Sequence, residues 1–378
     1  MVIRPFTIDI PQADLDDLQR RLDLTRWPDQ MDGAGWDYGT NPEYLRTLTD
    51  YWRDGFDWRG QERRLNAFPQ FTSTIDGVDI HLIHQRGTGP NPIPLLLLHG
   101  WPSTFVQMLD ILPLLIDPAA HGGDPADSFD VVAASLPGYG FSSSPTDRPM
   151  TLARIGELFH RLMTDELGYG RYGIRASDIA GGVQSQMALA HPDAIIGIHR
   201  SDSLVPFVPD DLSESERTYI DATETWKETE GAYAHQHRTK PQTLAYGLND
   251  SPVGVAAWIL EKFRAWSDSG GDAERHFTRD ELLTNIAIYW FTQTINSSIR
   301  LYRDGLGADT RTGIPDVPTA HLMGHEQIPN APQDWARRFH RVDRWTELDH
   351  GGHFVEWEVP ELVAEDLRAF FCPLRQAP

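Results

Sequence analysis

The run Pro94-Leu95-Leu96-Leu97-Leu98 is apolar at every position and stops at His99-Gly100. A strand with one wet face alternates apolar and polar residues. A strand apolar on both faces must be covered on both, and sheets of that kind are mostly parallel, with helices as the covers. The neighbouring sequence has those helices. Strand-like stretches at 129–135 and 172–176 alternate with helix-patterned stretches at 103–116 and 152–167. The alternation resumes at 317–323, 334–339 and 342–348 and closes with a helix at 360–371. Upstream, Asp76-Gly77 between 71–75 and 78–84 is a hairpin signal. The expectation is an α/β fold: a mostly parallel sheet flanked by helices, with functional loops at the carboxyl ends of the strands.

Two segments depart from this rhythm. Residues 1–70 are polar and helical in pattern, with Leu15, Leu18 and Leu22 on one face and Tyr44, Leu48 and Trp52 on another. They read as a helical arm packed on the core, without chemistry of its own. Residues 204–307 are rich in Trp, Tyr and helix formers and read as a helical lid. The core is thereby split into 71–203 and 308–378.

The chain has 33 basic against 55 acidic residues in 378, a formal charge of −22. Nucleic acids and anionic membranes need a basic footprint, so neither is expected as a partner. The single cysteine, Cys372, excludes an internal disulfide and a multi-cysteine metal site. Met1-Val2-Ile3-Arg4-Pro5-Phe6 lacks the apolar stretch of a signal peptide. A cytoplasmic protein free of the membrane is expected, with a two-fold homodimer as the base-rate assembly.

The chemistry centres on Asp178. In Arg175-Ala176-Ser177-Asp178-Ile179-Ala180-Gly181 a strand turns sharply into a helix, and small residues lie two positions either side of the carboxylate. That is the pattern of a nucleophile elbow, which in α/β-hydrolase order is followed by an acid and then a histidine. A carboxylate there displaces a leaving group at saturated carbon and leaves an ester on the enzyme. His353, in Asp349-His350-Gly351-Gly352-His353-Phe354, follows a strand on a glycine-loosened path, with His350 as competitor. For the acid, Glu326 ends a strand, while Asp309, Asp316 and Asp343 compete. His99-Gly100-Trp101-Pro102 lies where such folds offer a backbone N–H to an oxyanion, so Trp101 and Ile179 are the expected donors.

Together these residues resemble the epoxide hydrolases of the α/β-hydrolase fold, of the microsomal type with an N-terminal extension. Trp58-Arg59, His99-Gly100-Trp101-Pro102, Leu136-Pro137-Gly138-Tyr139-Gly140-Phe141-Ser142, Thr239-Lys240-Pro241, Glu261-Lys262-Phe263 and Gly351-Gly352-His353-Phe354, with Glu358 and Pro360, carry the resemblance. The 27-residue separation of Glu326 and His353 (353 − 326) also suits this branch. The resemblance implies Asp178 as nucleophile and His353 with Glu326 as the water-activating pair. It also implies Tyr233 and Tyr302 as lid tyrosines that hydrogen-bond the epoxide oxygen. No metal or organic cofactor is implied. Two departures stand out: Ala176 and Ala180 replace the usual outer glycines of the elbow, and Ile179 replaces a tryptophan.

The substrate implied is a bulky, aryl epoxide, opened to a vicinal diol. Low Lys with high Arg, Asp and Ala fits a bacterial member, of the enediyne-biosynthesis group or a detoxifying one. Rival expectations are a haloalkane dehalogenase using Trp101 N–H groups, a serine hydrolase using Ser177 or Ser185, and a non-catalytic homologue that binds a small apolar ligand.

Overall fold

A computed structural model of the chain describes residues 3–201, 207–325 and 329–375. Nine strands form one sheet: β1 (Arg4–Phe6), β2 (Gln70–Ile75), β3 (Val78–Gln85), β4 (Ile93–Leu98), β5 (Phe129–Ala134), β6 (Tyr172–Ser177), β7 (Ile195–Ser201), β8 (Thr319–Met323) and β9 (Val342–Glu347). Their spatial order is β1-β2-β3-β5-β4-β6-β7-β8-β9. β1, β2 and β3 are antiparallel, and β3 joins β5 antiparallel. From β5 to β9 every neighbouring pair is parallel. Leu95 to Leu98 of β4 are fully buried at the centre, as an all-apolar strand requires.

Two strands have no clear signature in the sequence. β1 is three residues long and contains Pro5, so it shows no alternation; as an edge strand it tolerates a proline. β7 carries Gly197, His199 and Arg200, which break the apolar run, yet all of it is buried or nearly so because its polar groups find partners inside. The helix-patterned stretch at 103–116 is divided into a 3₁₀ turn, Phe105–Met108, and a short helix, Ile111–Ile116.

Helices Gln12–Asp23, Pro42–Asp54 and Trp58–Leu65 make up the N-terminal arm. Leu18, Leu22, Leu48 and Trp52 are buried against the main core, and Arg21 reaches Asp250 of the insertion at 2.9 Å. Between β7 and β8 the described chain forms six helices: Glu214–Thr229, Ala232–Thr239, Pro241–Leu248, Pro252–Trp266, Arg279–Thr292 and Ile295–Asp304. They lie over the carboxyl ends of β4 and β6, where Asn285 donates to Pro102 O at 2.9 Å and Tyr289 to Ser103 O at 2.9 Å. No helix among the described residues is long and apolar enough to cross a membrane.

Candidate active site

β6 passes into helix Asp178–Ala190 with no intervening loop, so Asp178 bears the whole turn at φ +53°. That left-handed conformation costs a side-chain-bearing residue about 1–2 kcal/mol, and it turns the carboxylate out over the sheet edge. Ala176 and Ala180 are fully buried and have negative φ. The strain falls on the acidic residue itself, so alanine serves at both outer positions.

One carboxylate oxygen is held: the Trp101 N–H donates to Asp178 Oδ1 at 3.0 Å. The other, Oδ2, lies 3.6 Å from His353 Nε2. The loop carrying Trp101 is rigid. Leu136 N–H donates to His99 Nε2 at 3.2 Å, so the proton sits on Nδ1, which donates to Gly100 O at 3.0 Å. Burial holds the His99 imidazole down at about 4, consistent with that neutral form. Ile179 is in the first turn of its helix, where backbone N–H groups have no intrahelical acceptor.

Two helices of the insertion lie over this point. Tyr233, on helix Ala232–Thr239, stacks on the Trp101 ring at 5.4 Å and 10°. Tyr302, on helix Ile295–Asp304, meets Trp101 edge-on at 6.0 Å and Tyr233 at 6.0 Å. Burial, with the Asp178 charge adding to it, raises both phenols well above the ordinary tyrosine value. Both therefore remain protonated donors at any working pH.

His353 follows β9 through a loop whose glycines are obligatory. Gly351 has φ +89°, and a Cβ there would meet Val359 at 2.6 Å; one on Gly352 would meet Asp268 N at 2.5 Å. His353 N–H donates to Trp266 O at 2.9 Å, and its ring packs edge-on against Trp266 at 5.2 Å. His350 is exposed, so of the two candidates only His353 faces Asp178.

Residues 3–108 match the family model described as epoxide hydrolase N terminus, and residues 93–232 match that of the alpha/beta hydrolase fold. The chain is 40% identical to "Putative epoxide hydrolase" of Stigmatella aurantiaca (strain DW4/3-1), across 99% of this chain and 86% of the relative. It is 34% identical to Epoxide hydrolase 1 of Sus scrofa, across 99% and 89%. The chain belongs to the epoxide hydrolase family. Its structure matches that of Aspergillus niger epoxide hydrolase with a TM-score of 0.87 and 30% identity, over 99% of this chain and 97% of that one.

In this family member, part of the support for the histidine loop is not visible in the sequence. Glu358 accepts N–H bonds from Asp268 (2.8 Å), Gly352 (2.9 Å) and Phe354 (3.0 Å), and Asp268 Oδ2 takes Gly351 N–H at 3.1 Å. Asp268 lies 85 residues before His353 (353 − 268), on a lid turn with no distinguishing pattern. His237 likewise has no signal in the sequence, whereas Lys262 belongs to the Glu261-Lys262-Phe263 stretch that carries the resemblance, which leaves its place in the site undefined. Lys262 Nζ sits over the Tyr233 ring at 4.8 Å, and His237 accepts from Trp258 Nε1 at 3.1 Å while edging against Trp101 and Tyr302.

Glu326 lies outside the described residues. Its neighbour His325 donates its backbone N–H to Gly351 O at 2.7 Å. The rival acids are engaged elsewhere: Asp309 with Thr151 at 2.6 Å, and Asp316 and Asp343 with Arg341. Ser185 hydrogen-bonds Gly181 O within its own helix at 2.9 Å, and Ser177 is buried at the end of β6. Burial pushes the Cys372 thiol up to about 12, which leaves it unreactive. Among the described residues no group of three or more His, Cys, Asp or Glu side chains is placed to hold a metal ion.

Proposed function

We propose that this epoxide hydrolase opens its substrate in two steps through a covalent ester on Asp178. The observation that carries the reading is the division of labour between the two oxygens of Asp178. Oδ1 is held by the Trp101 N–H at 3.0 Å, while Oδ2 faces His353 at 3.6 Å beneath the two phenols. In the first step Oδ2 attacks a ring carbon, the C–O bond breaks, and the alkoxide takes a proton from Tyr233 or Tyr302. In the second, His353, oriented by Glu326, takes a proton from water; the oxygen adds to Asp178 Cγ. The negative charge then gathers on Oδ1, where the N–H groups of Trp101 and Ile179 receive it, each worth about 3 kcal/mol to the transition state. Collapse breaks the ester bond; the departing alkoxide takes the proton held by His353, the new carboxyl group returns a proton to the tyrosinate, and a vicinal diol leaves with the Asp178 carboxylate restored. The bond from His325 to Gly351 supports Glu326 as the partner of His353, because it ties the end of β8 to the histidine loop. None of these steps calls for a metal or an organic cofactor.

The substrate class we infer is a bulky aryl epoxide, as in an aromatic xenobiotic or an enediyne precursor. Trp101, Tyr233, Trp266 and Tyr302 form a continuous aromatic wall above the carboxylate, which suits a flat apolar group. Initial rates on styrene oxide against a linear terminal alkyl epoxide test this: a preference for the alkyl compound overturns the aryl assignment.

Intact-protein mass spectrometry during turnover of styrene oxide tests the mechanism. His353→Gln blocks hydrolysis but not alkylation, so the variant should accumulate an adduct on the peptide containing Asp178, and only the wild type should release diol. One observation favours the dehalogenase reading: the indole nitrogens of Trp101 and Trp266 are buried with no hydrogen-bond partner among the described residues. Bromide release from a primary bromoalkane with no diol from any epoxide would decide for it. An inert protein that still binds the epoxide would be the non-catalytic homologue.

A further inference from the structure

Beneath the elbow runs a buried polar chain that the proposed mechanism leaves unused. Arg175, on β6 three residues before Asp178, is fully buried. Its Nε donates to Glu356 Oε1 at 2.7 Å and its Nη1 to His199 Nδ1 at 3.2 Å. His199 therefore carries its proton on Nε2, which donates to Asp366 Oδ2 at 2.8 Å. The other oxygen of Asp366 takes Arg344 Nε at 2.8 Å and Thr346 Oγ1 at 2.7 Å. With His199 neutral, as its burial favours, two guanidinium groups balance two carboxylates.

The chain also runs upward, into the site. Glu356 Oε2 accepts from Gln107 Nε2 at 2.7 Å. Gln107 Oε1 is bonded to Ser103 Oγ, which lies 3.0 Å from Gly100 O, the carbonyl preceding the Trp101 donor. Glu356 itself is fully buried on helix Val355–Glu358, three residues after His353. Glu356 thus sits on the segment that carries His353, bonds the strand that ends in Asp178, and reaches the loop that holds Oδ1 through Gln107 and Ser103.

Stability alone does not require such an arrangement, because well-packed apolar side chains of similar volume are often as stabilising as a buried ion pair. What an apolar cluster lacks is direction: hydrogen bonds fix three backbone segments relative to one another to a fraction of an ångström. We propose that Glu356, clamped between Arg175 and Gln107, is a positioning residue that sets the oxyanion loop and the histidine loop against Asp178. The proposal rests on the roles assigned above to Asp178, Trp101 and His353.

Gln107→Met cuts the tie to the oxyanion loop and leaves Glu356 paired with Arg175 alone, and Glu356→Gln weakens both arms. Rapid-quench mass spectrometry on styrene oxide separates adduct formation from adduct decay, and calorimetry gives Tm. Charge builds on Oδ1 only during hydrolysis. Gln107→Met should therefore slow decay by about 10- to 100-fold while formation changes by less than about twofold. Its Tm should fall by several degrees, because Glu356 Oε2 loses its donor while Oε1 keeps Arg175. Glu356→Gln, where it folds, should shift the same step further. A folded Gln107→Met protein with both rate constants unchanged, or lowered in equal proportion, overturns the proposal. If the His353→Gln trap yields no adduct, it is the ester mechanism that has failed. Glu356 is then judged on diol turnover by Gln107→Met well below its Tm, where a lower kcat at unchanged KM supports it and an unchanged kcat overturns it.

Discussion

Gly100 and Asp178 occupy adjoining space so closely that a Cβ on Gly100 would stand 2.4 Å from Asp178 Cβ and 2.7 Å from Oδ1. Asp178 has no freedom to yield, since its backbone is committed to φ +53° and Oδ1 to the Trp101 amide. Gly100→Ala should therefore displace the carboxylate while leaving the buried sheet intact. Adduct formation is expected to fall by about 10²-fold or more, with a Tm lowered by a few degrees from the overpacking. A variant with near-normal alkylation would mean that the proposed nucleophile is not Asp178.

Tyr233 and Tyr302 converge from different helices on one point above Trp101. In the proposed mechanism both donate only while the epoxide oxygen gains charge, so Tyr233→Phe and Tyr302→Phe should each slow alkylation by roughly 10²-fold and leave adduct hydrolysis almost unchanged. Pre-steady-state quench on the single variants checks this; slowed hydrolysis with normal alkylation would reverse the assignment.

Stability should fall on the mildly acidic side. Burial pushes the imidazoles of His81, His99 and His237 down to about 3, about 4 and about 3. Unfolded, each returns to about 6.5 and takes up a proton that the folded protein refuses. These groups thus contribute stability that is complete above about pH 6.5 and is lost as pH falls toward 4, at ~1.4 kcal/mol per pH unit for each histidine. Urea unfolding across that range should show the slope, and His237→Gln should reduce it by one proton. A flat stability profile would mean that these imidazoles titrate normally.

Glu358 satisfies three backbone amides of the histidine loop and the lid turn below it. Glu358→Leu leaves all three buried without an acceptor, at about 1–3 kcal/mol apiece. We expect a Tm drop of many degrees together with loss of diol formation. Glu358→Gln, which keeps one acceptor oxygen, should fall between the two.

Much of this was legible beforehand, for a local reason. β4 declares itself because a strand covered on both faces has no polar position, and the elbow because a strand-to-helix turn admits only small neighbours. β7 was hidden because Gly197, His199 and Arg200 interrupt its apolar pattern, and only the fold brings Asp366 and Ser185 to the last two. β1 was hidden by its shortness. The choice of His353 over His350 was open in sequence, where both flank the same glycines; exposure of one and the facing carboxylate of the other separate them.

By itself, the order of residues along the chain determined the α/β alternation, the helical insertion and the candidates for nucleophile and base. All of these depend on periodicity and short-range sterics, which act within a few residues. Tertiary structure alone decided which oxygen of Asp178 is held and which faces His353. It also decided that Lys262 lies over Tyr233, that Asp268 and Glu358 brace the histidine loop, and that Arg175, Glu356 and Gln107 form one buried chain. Those contacts join residues up to 249 positions apart. A buried polar group is stable only when a partner meets it in the folded core, and no local pattern records where that partner will come from.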